Sequence, residues 1–442
     1  MSELEGEGSE PVIYGELIVL GCNGSFPGGD RGRRRSRFCL CRRFTANGVK
    51  PGAVHFACST EAATVISKNS QHSVSYTLSG AETVVVEYTH DDQTDMYQIG
   101  RATDSPIDIV VAKPVGRTRG GGGDGGNSGS GQSTVSRFAC RIVCERAPPH
   151  TVRLYAAGFD CSRNIFLGEQ AVKWRSIGQM DGLTTNGVLV MRPPGGFSVS
   201  GEHGEWREIS VCGNVYCLRE SRSDHRRGQQ VRDESQVLVD GSLIDLCGVT
   251  LLWRSAAALS HSPRPGHMEA LRAELNAARP HCPVLLHTLA FPSLSEVEPE
   301  QPRQPWAYLR CGHVHGLHPW RGRATGVRGE EVEEEKQDGE EQDATKGVRD
   351  GDEDRECPLC RARGLYVALT LGRESRLCVD AAPPTHAFVP CGHVCSEATA
   401  EYWSKTPLPS GSKAFHPACP FCMRHLARDR PYVRLIFTGA PD

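Results

Sequence analysis

The sequence predicts a mainly β protein in which an N-terminal β-sandwich precedes a smaller zinc-binding domain. Short runs rich in β-branched and aromatic residues, separated by Gly, Asn, Asp and Pro, recur from residue 11 to about residue 260, a pattern typical of a sandwich. Near the C-terminus, Cys-Gly-His-Val occurs at 311–314 and again at 391–394. Each copy is followed by Cys-Pro-x-Cys, at 357–360 and 419–422.

The sandwich is predicted over residues 11–260, after a flexible acidic tail at 1–10. Its clearest strands are Thr83–Tyr88, Ile107–Val111, Val152–Tyr155 and Val249–Trp253. Residues 120–131 consist entirely of Gly, Ser, Asn and Asp. Such a segment has nothing to bury, so we expect a disordered loop between two strands.

A helix and a linker are predicted between the two domains, over residues 261–304. The segment His267–Arg279 has an apolar helical face and stops before Pro280. This face is formed by Met268, Leu271, Leu275 and Ala278. Residues 292–305 are rich in Pro and acidic side chains, which indicates a linker.

The zinc-binding domain is predicted over residues 305–442, with a disordered acidic insertion at about 325–356. Crowded Glu and Asp side chains repel one another and cannot form a core. Without this insertion, the spacing from Cys-Gly-His-Val to Cys-Pro-x-Cys becomes nearly equal in the two copies. Equal spacing favours an internal duplication.

Four Cys-x-His and Cys-x-x-Cys pairs predict two structural zinc ions, because two such pairs supply the four ligands of a closed tetrahedral site. The predicted ligands are Cys311, His313, Cys357, Cys360, Cys391, His393, Cys419 and Cys422. Two pairings satisfy this chemistry: each repeat binds its own ion, or the pairs alternate as in a cross-braced RING domain. Nearby residues that are alternative ligands are His315, His318, Cys378, Cys395 and His416.

Composition and charge exclude several classes of protein. The 442 residues contain 50 Lys and Arg against 53 Asp and Glu, a net charge of −3, so we expect no nucleic-acid partner. The N-terminus lacks an apolar signal segment and no run is long enough to span a membrane, so we expect no membrane insertion. Nineteen cysteines without a secretion signal indicate metal binding in the cytoplasm.

Seven arginines are concentrated in residues 31–43. A solvated surface arm is the favoured interpretation, and an acidic partner or a nuclear address is the alternative. A nuclear pool is therefore also consistent with the sequence.

Three turn segments at strand ends suggest a second functional site. They are Gly100-Arg101, Ser136-Arg137 and Thr185-Asn186-Gly187. In this order they resemble the forkhead-associated (FHA) domain, a sandwich whose loops bind phosphothreonine. A guanidinium, a hydroxyl and an amide suit a phosphate that carries nearly two negative charges. Ala139 stands where that family commonly has His three residues after the loop Ser.

Longer blocks resemble the Pellino family from about residue 11 to residue 442. They include 14–21, 87–91, 155–160, 180–188 and 391–397. The resemblance implies an FHA-type sandwich with an added wing, which binds phosphorylated interleukin-1-receptor-associated kinases, and a RING-like zinc domain. It also implies a ubiquitin ligase of Toll-like and interleukin-1 receptor signalling that recruits a ubiquitin-conjugating enzyme with its ubiquitin. Arg101, Ser136, Arg137, Thr185 and Asn186 would contact the phosphothreonine.

A RING-type ligase provides no catalytic residue, because it positions the ubiquitin thioester for attack by a lysine. Trp320 and Trp403 follow the two Cys-Gly-His-Val copies, and each is expected either to pack in the zinc domain or to face the conjugating enzyme. The alternative function is an adaptor that binds phosphoproteins without ligase activity.

Overall fold

The computed structural model describes residues 11–21, 36–58, 71–111, 134–176, 179–198, 203–293, 303–322, 354–410 and 414–439. The predicted tail 1–10, the glycine-rich loop 120–131 and the acidic insertion up to residue 353 lie outside these residues. Four of the seven clustered arginines also lie outside them, namely Arg31, Arg33, Arg34 and Arg35.

The described residues are mainly β, as predicted. The strands of the N-terminal half are β1 Ile13–Val19, β2 Arg37–Cys41, β3 Gly48–Cys58, β4 His72–Ser79, β5 Glu82–Asp91, β6 Thr94–Gly100, β7 Ile109–Val110, β8 Cys140–Glu145, β9 Val152–Ala156, β10 Asn164–Leu167, β11 Lys173–Ser176, β12 Gln179–Gly182, β13 Val188–Met191, β14 Trp206–Ile209, β15 Val215–Cys217, β16 Leu243–Asp245 and β17 Thr250–Ser255. Two helices follow, α1 Ala256–Leu259 and α2 Pro265–Ala277.

The described residues of the C-terminal half form shorter strands and one further α-helix. Its elements are β18 Trp306–Tyr308, β19 Val314–His315, β20 Asp354–Glu356, β21 Arg363–Ala368, β22 Thr370–Leu371, a 3-10 turn Ser375–Leu377, β23 His386–Phe388, β24 His393–Cys395, α3 Glu397–Lys405, β25 Pro407–Ser410, β26 Ala414–Pro417 and β27 Tyr432–Arg434.

Two sheets form the predicted sandwich. One has the strand order β15-β14-β13-β16-β17-β1-β2, and the other has the order β7-β6-β8-β9. Strand β1 pairs with β17, with Leu17 opposite Trp253, so the first and last strands of the N-terminal half are neighbours in one sheet. All seven residues of β6 are buried, which fits a central strand covered on both faces. The core between the sheets includes Ile99, Ile142 and Leu251.

A third sheet, with the order β10-β4-β5-β3, packs on the outside of the sandwich. Its apolar face, with Val74, Tyr76 and Val84, covers a separate core that includes Phe159 and Met180. Strand β10 runs parallel to β4 and forms an edge of this sheet. This sheet is the wing that the resemblance implies.

The C-terminal half contains two repeats that interlock. Each has a short strand before its Cys-Gly-His knuckle, β18 in the first repeat and β23 in the second. After the first repeat, Thr370 N donates to Gly392 O at 3.1 Å; after the second, Ile436 N donates to Gly312 O at 2.8 Å. The segment that follows each repeat is therefore hydrogen-bonded to the glycine of the other repeat's Cys-Gly-His turn. Leu369 and Leu435 pack in one common core.

The second repeat packs against the outer face of the seven-stranded sheet. One continuous cluster joins Leu252 and Trp206 of the sandwich to Trp403 and Phe421 of the C-terminal domain. Polar contacts cross the same surface. Trp206 Nε1 donates to Pro407 O at 2.7 Å, Gly21 N donates to Pro420 O at 2.8 Å, and Arg376 Nε lies 3.1 Å from Glu16 Oε2.

The predicted helix is present, two residues earlier than expected at each end, because Pro265 suits its first turn. Met268 and Leu271 are buried in the cluster that the sandwich shares with the C-terminal domain. The predicted strand over 107–111 is confirmed only at Ile109–Val110. No helix among the described residues is long and apolar enough to cross a membrane.

Three predictions for residues at the ends of the predicted insertion, linker and arginine-rich arm are wrong. Residues 354–356, assigned to the acidic insertion, form β20, where Arg355 is buried. Gln304, assigned to the linker, is buried and donates to Leu369 O at 3.2 Å. Arg43 does not lie on a solvated arm, because its guanidinium pairs with Asp108 at 2.6 Å and stacks on the Tyr97 ring.

Candidate functional site

Among the described residues, two groups of four side chains in the C-terminal domain can each hold a metal ion. Within each group the ligand atoms all lie within 4.8 Å of one another. The first group is Cys311, His313, Cys357 and Cys360, and the second is Cys391, His393, Cys419 and Cys422. The structure thus brings together all eight predicted ligands, and it groups them by repeat. The alternating arrangement of a cross-braced RING is not the one adopted.

The knuckle backbone explains why the two groups form. Gly312 and Gly392 have φ of +84° and +74°, values that disfavour any side chain. A Cβ on Gly312 would lie 1.9 Å from Arg434 O, and a Cβ on Gly392 would lie 2.5 Å from Ala368 O. Glycine is therefore required at this position in each Cys-Gly-His turn, which presents the Cys and the His on the same side.

The donor chemistry fits a cation. His313 Nδ1 lies 3.3 Å from Cys311 Sγ and 3.6 Å from Cys357 Sγ, so the first group converges on one point. In the second, His393 Nδ1 is buried and has no hydrogen-bond partner among the described residues. Burial raises the pKa of Cys419 well above its usual value, whereas hydrogen bonds from Cys391 and Cys419 lower the pKa of Cys422. A bound cation would compensate the buried thiolates.

The alternative ligands lie outside both groups. His315 is buried beside the first group, with Nε2 3.9 Å from Cys357 Sγ, and His318 packs on Tyr366. Cys378 and Cys395 are buried in the cluster shared with the sandwich. His416 packs against His425, with ring centroids 5.2 Å apart. These residues pack around the sites and are not needed to complete either group of four.

A second site forms where three loops meet at one end of the sandwich. Arg101 follows β6, Ser136 and Arg137 precede β8, and Asn186 precedes β13. Asn186 Nδ2 donates to Ser136 Oγ at 3.0 Å and to Thr134 O at 2.8 Å. The Arg101 backbone N donates to Ser136 O at 3.1 Å. We refer to Arg101, Ser136, Arg137, Thr185 and Asn186 as the loop cluster.

The loop cluster presents unused hydrogen-bonding capacity. Arg101 Nε is buried and has no hydrogen-bond partner among the described residues. An unpaired buried donor is costly, and an anionic ligand would satisfy it. Arg137 is exposed, with its guanidinium 5.4 Å from the Phe138 ring, and Thr185 is also exposed.

Two structural features hold the loops close together. A Cβ on Gly100 would lie 1.9 Å from Arg137 O, so only glycine allows the first two loops to approach. Ala139, in the place where FHA domains commonly have His, is buried and cannot brace Ser136. Asn186 supplies that brace instead, through its bond to Ser136 Oγ.

Two buried arginines that no sequence motif predicted hold the third loop in place by hydrogen bonds. Arg219 Nη2 donates to Thr184 O at 2.9 Å, and Arg222 Nη1 donates to Asn186 O at 3.2 Å. Arg219 pairs with Glu208 at 2.6 Å, and Arg222 pairs with Asp245. No local pattern identifies them, because they lie outside the strands and their carboxylate partners lie on β14 and β16.

The fold and the two sites define a class of protein: an FHA-type sandwich joined to a RING-type domain with two groups of side chains that can hold a metal. Models of the Pellino FHA domain and the Pellino RING domain match residues 5–271 and 275–442. The chain belongs to the Pellino family.

Relatives in animals match over nearly the full chain. The chain is 56% identical to "E3 ubiquitin-protein ligase pellino homolog 2" of Homo sapiens over 434 residues, 98% of this chain and 97% of the relative. It is 56% identical to "E3 ubiquitin-protein ligase pellino homolog 3" of Mus musculus over 438 residues, 98% of this chain and 92% of the relative. "Protein pellino" of Drosophila melanogaster is 45% identical over 439 residues, 99% of this chain and 96% of the relative.

Proposed function

We propose that this chain is an E3 ubiquitin ligase that recruits phosphothreonine-containing proteins through its sandwich and a ubiquitin-conjugating enzyme through its zinc domain. The observation that carries the proposal is the full-length match to relatives named E3 ubiquitin-protein ligases, in a chain with two Cys3His groups. Phosphorylated interleukin-1-receptor-associated kinases are the substrates we favour, in the cytoplasmic signalling of Toll-like and interleukin-1 receptors.

Two zinc ions are the metals we propose, one for each group of four. Three thiolates and one imidazole are soft and borderline ligands that suit zinc, and four protein ligands leave no open position for catalysis. The ions would therefore be structural. The zinc domain would act by ordering the thioester-linked ubiquitin of the conjugating enzyme, so that a lysine amine attacks the thioester carbonyl and the enzyme's thiolate leaves.

The loop cluster is the phosphothreonine site that we propose. Arg101 and Arg137 provide positive charge, Ser136 provides a hydroxyl, and backbone N–H groups add neutral donors. Thr185 and Asn186 would hold the backbone of the ligand. The packing of the sandwich on the second repeat would fix the direction from which a bound phosphoprotein approaches the conjugating enzyme.

The ligase proposal is tested by incubating the purified full-length chain with activating enzyme, a panel of conjugating enzymes, ubiquitin and ATP. We expect self-ubiquitylation that requires both ATP and a conjugating enzyme. Absence of any product across the panel would favour the adaptor function instead.

Replacement of Arg101 by Ala is expected to weaken binding of a phosphothreonine peptide at least tenfold, since it removes a charge-assisted contact worth about 1.5–3 kcal/mol. The residue lies on a loop, so the sandwich should stay folded. Fluorescence anisotropy with a labelled peptide measures the affinity. The proposal fails if the parent protein binds the phosphorylated and unphosphorylated peptides equally.

Gly100→Ala is expected to reduce phosphopeptide affinity about tenfold, because its Cβ would separate the first two loops. Gly80→Ala is the matched control, since nothing lies within 4 Å of a Cβ built there. The same anisotropy assay compares the two variants. Equal affinity of both variants would show that the close approach of these loops is not needed for binding.

A further inference from the structure

Two cysteine side chains that belong to neither group of four are in contact on strand β2. Cys39 Sγ lies 3.3 Å from Cys41 Sγ. Residues two apart on a strand point to the same face, so the two thiols lie side by side. Cys39 is exposed and Cys41 is half-buried. The pair is therefore a dithiol that a reagent in the solvent can reach.

Strand β2 is placed where it can bend. It lies at one end of the seven-stranded sheet, with β1 as its neighbour, and the register shifts between Ile13 and Gly15, which face Cys41 and Leu40. The Cβ atoms of residues two apart lie about 6.6 Å from each other in a flat strand. A disulfide needs them at about 3.5–4.5 Å. An irregular edge strand can bend this far, because few ladder hydrogen bonds are broken.

The dithiol lies on the sheet face that packs against the C-terminal domain. Cys39 is directly opposite Glu16 of β1, and directly opposite residues share a face. Glu16 Oε2 lies 3.1 Å from Arg376 Nε of the C-terminal domain. On β2 itself, Arg37 Nε lies 3.4 Å from Glu374 Oε2. A change in the shape of β2 would therefore act on a contact between the domains.

We propose that a hydroperoxide converts Cys39 and Cys41 into a reversible disulfide, and that this bond loosens the contact of β2 with Glu374. Closing the bond draws residues 39 and 41 together, shortens β2 and moves Arg37 away from that carboxylate. Disulfides inside cells are usually transient and redox-sensing, and strained ones are the easiest to reduce. This modification is separate from the ligase and phosphothreonine functions.

The reaction with hydrogen peroxide proceeds in two steps. Burial and the hydrogen bond to Cys41 raise the pKa of Cys39 to about 12, so Cys41 is the thiol expected to lose its proton and react first. Its thiolate attacks one peroxide oxygen, the O–O bond breaks, and a sulfenic acid forms while the departing hydroxide takes up the proton. The Cys39 sulfur then attacks the Cys41 sulfur, and the S–O bond breaks as hydroxide leaves with the Cys39 proton. Two thiols and one peroxide thus give one disulfide and two waters.

The modification is tested by treating the full-length chain with hydrogen peroxide, alkylating the remaining thiols and digesting with trypsin. Cleavage after Arg37 and Arg42 releases peptide 38–42, which carries both cysteines. We expect mass spectrometry to find this peptide without alkyl groups and lighter by two hydrogen atoms, and to find two alkyl groups on it when dithiothreitol precedes alkylation. Cys161 is the control within the same chain, because its exposed thiol donates to Ser105 O at 3.2 Å. It should be alkylated without reduction.

The effect on the domain contact is tested by hydrogen exchange of residues 374–377 in the oxidised and reduced chain. We expect exchange about tenfold faster after oxidation, since local opening costs less when the contact with β2 is loosened. Cys39→Ser, treated with the same peroxide, controls for oxidation elsewhere and should exchange like the reduced parent.

Two results would overturn the disulfide. One is a doubly alkylated peptide 38–42 after peroxide treatment, and the other is sulfinic acid on both cysteines in place of the bond. A disulfide that leaves the exchange of residues 374–377 unchanged would overturn its effect on the domain contact.

Discussion

Replacing Cys391 and Cys419 together by Ser is expected to leave one zinc ion per chain, whereas replacing Cys311 and Cys391 together is expected to leave none. The first pair belongs to one group of four and the second pair is divided between both groups. The outcome is measured as the zinc content of each double variant after gel filtration in a buffer that contains a weak chelator. A cross-braced arrangement predicts the opposite result for the two double variants.

The same substitutions are expected to unfold the repeat that loses its ion, because binding of a structural zinc provides on the order of 10 kcal/mol of folding free energy. Loss at the second group should also lower the unfolding temperature of the sandwich, since Phe421 belongs to their common cluster. Cys58→Ser is the control: this exposed thiol lies outside both groups, so both ions and the stability should be retained. Full stability of the Cys391/Cys419 variant would contradict a structural role for the metal.

Replacement of Trp403 by Ala is expected to lower the free energy of unfolding by about 3–5 kcal/mol, the usual cost of removing a fully buried aromatic side chain. Trp403 is completely buried in α3, donates from Nε1 to Leu377 O at 2.9 Å, and contacts the Phe197 ring of the sandwich. Urea unfolding of the full-length chain measures the change.

Trp320 is the matched control for Trp403, because it follows the equivalent knuckle in the first repeat and is 39% exposed. Its replacement by Ala should cost about 1 kcal/mol or less. If Trp403→Ala lowers the free energy of unfolding as little as Trp320→Ala does, the contact between the sandwich and the second repeat contributes little to stability. Of the two roles expected for Trp403, the structure supports packing.

The sequence was a good guide wherever the signal was local. The β-branched run Thr83–Tyr88 lies within β5, and the apolar face that predicted a helix carries the buried Met268 and Leu271. The spacing of Cys and His identified the eight side chains that the structure groups, because each pair lies within one tight turn.

The grouping of those pairs could not be predicted in the same way. Spacing shows that Cys311 and His313 act together, but it does not show whether their partners are Cys357 and Cys360 or a pair in the other repeat. That choice depends on how the repeats fold on each other, which strand contacts such as Thr370 N to Gly392 O determine.

Local patterns also missed the contact between the two domains. The Pro-rich segment before Gln304 predicted a linker between the domains. In the structure, Trp206 and Phe197 of the sandwich and Trp403 of the C-terminal domain belong to one buried cluster. Each of these residues is an ordinary apolar position within its own strand, loop or helix. A sequence pattern shows that a side chain will be buried, but it does not show against which surface.

By itself, the sequence determined the mainly β class, the Cys and His side chains that can hold a metal, and the family. The tertiary structure alone decided which Cys and His side chains form one group, which sheet face packs against the second repeat, how Arg219 and Arg222 hold the third loop, and how closely Gly100 approaches Arg137. The physical reason is distance along the chain. Propensity, periodicity and knuckle spacing act within a few residues, whereas these four features join residues far apart in sequence and exist only when the elements pack.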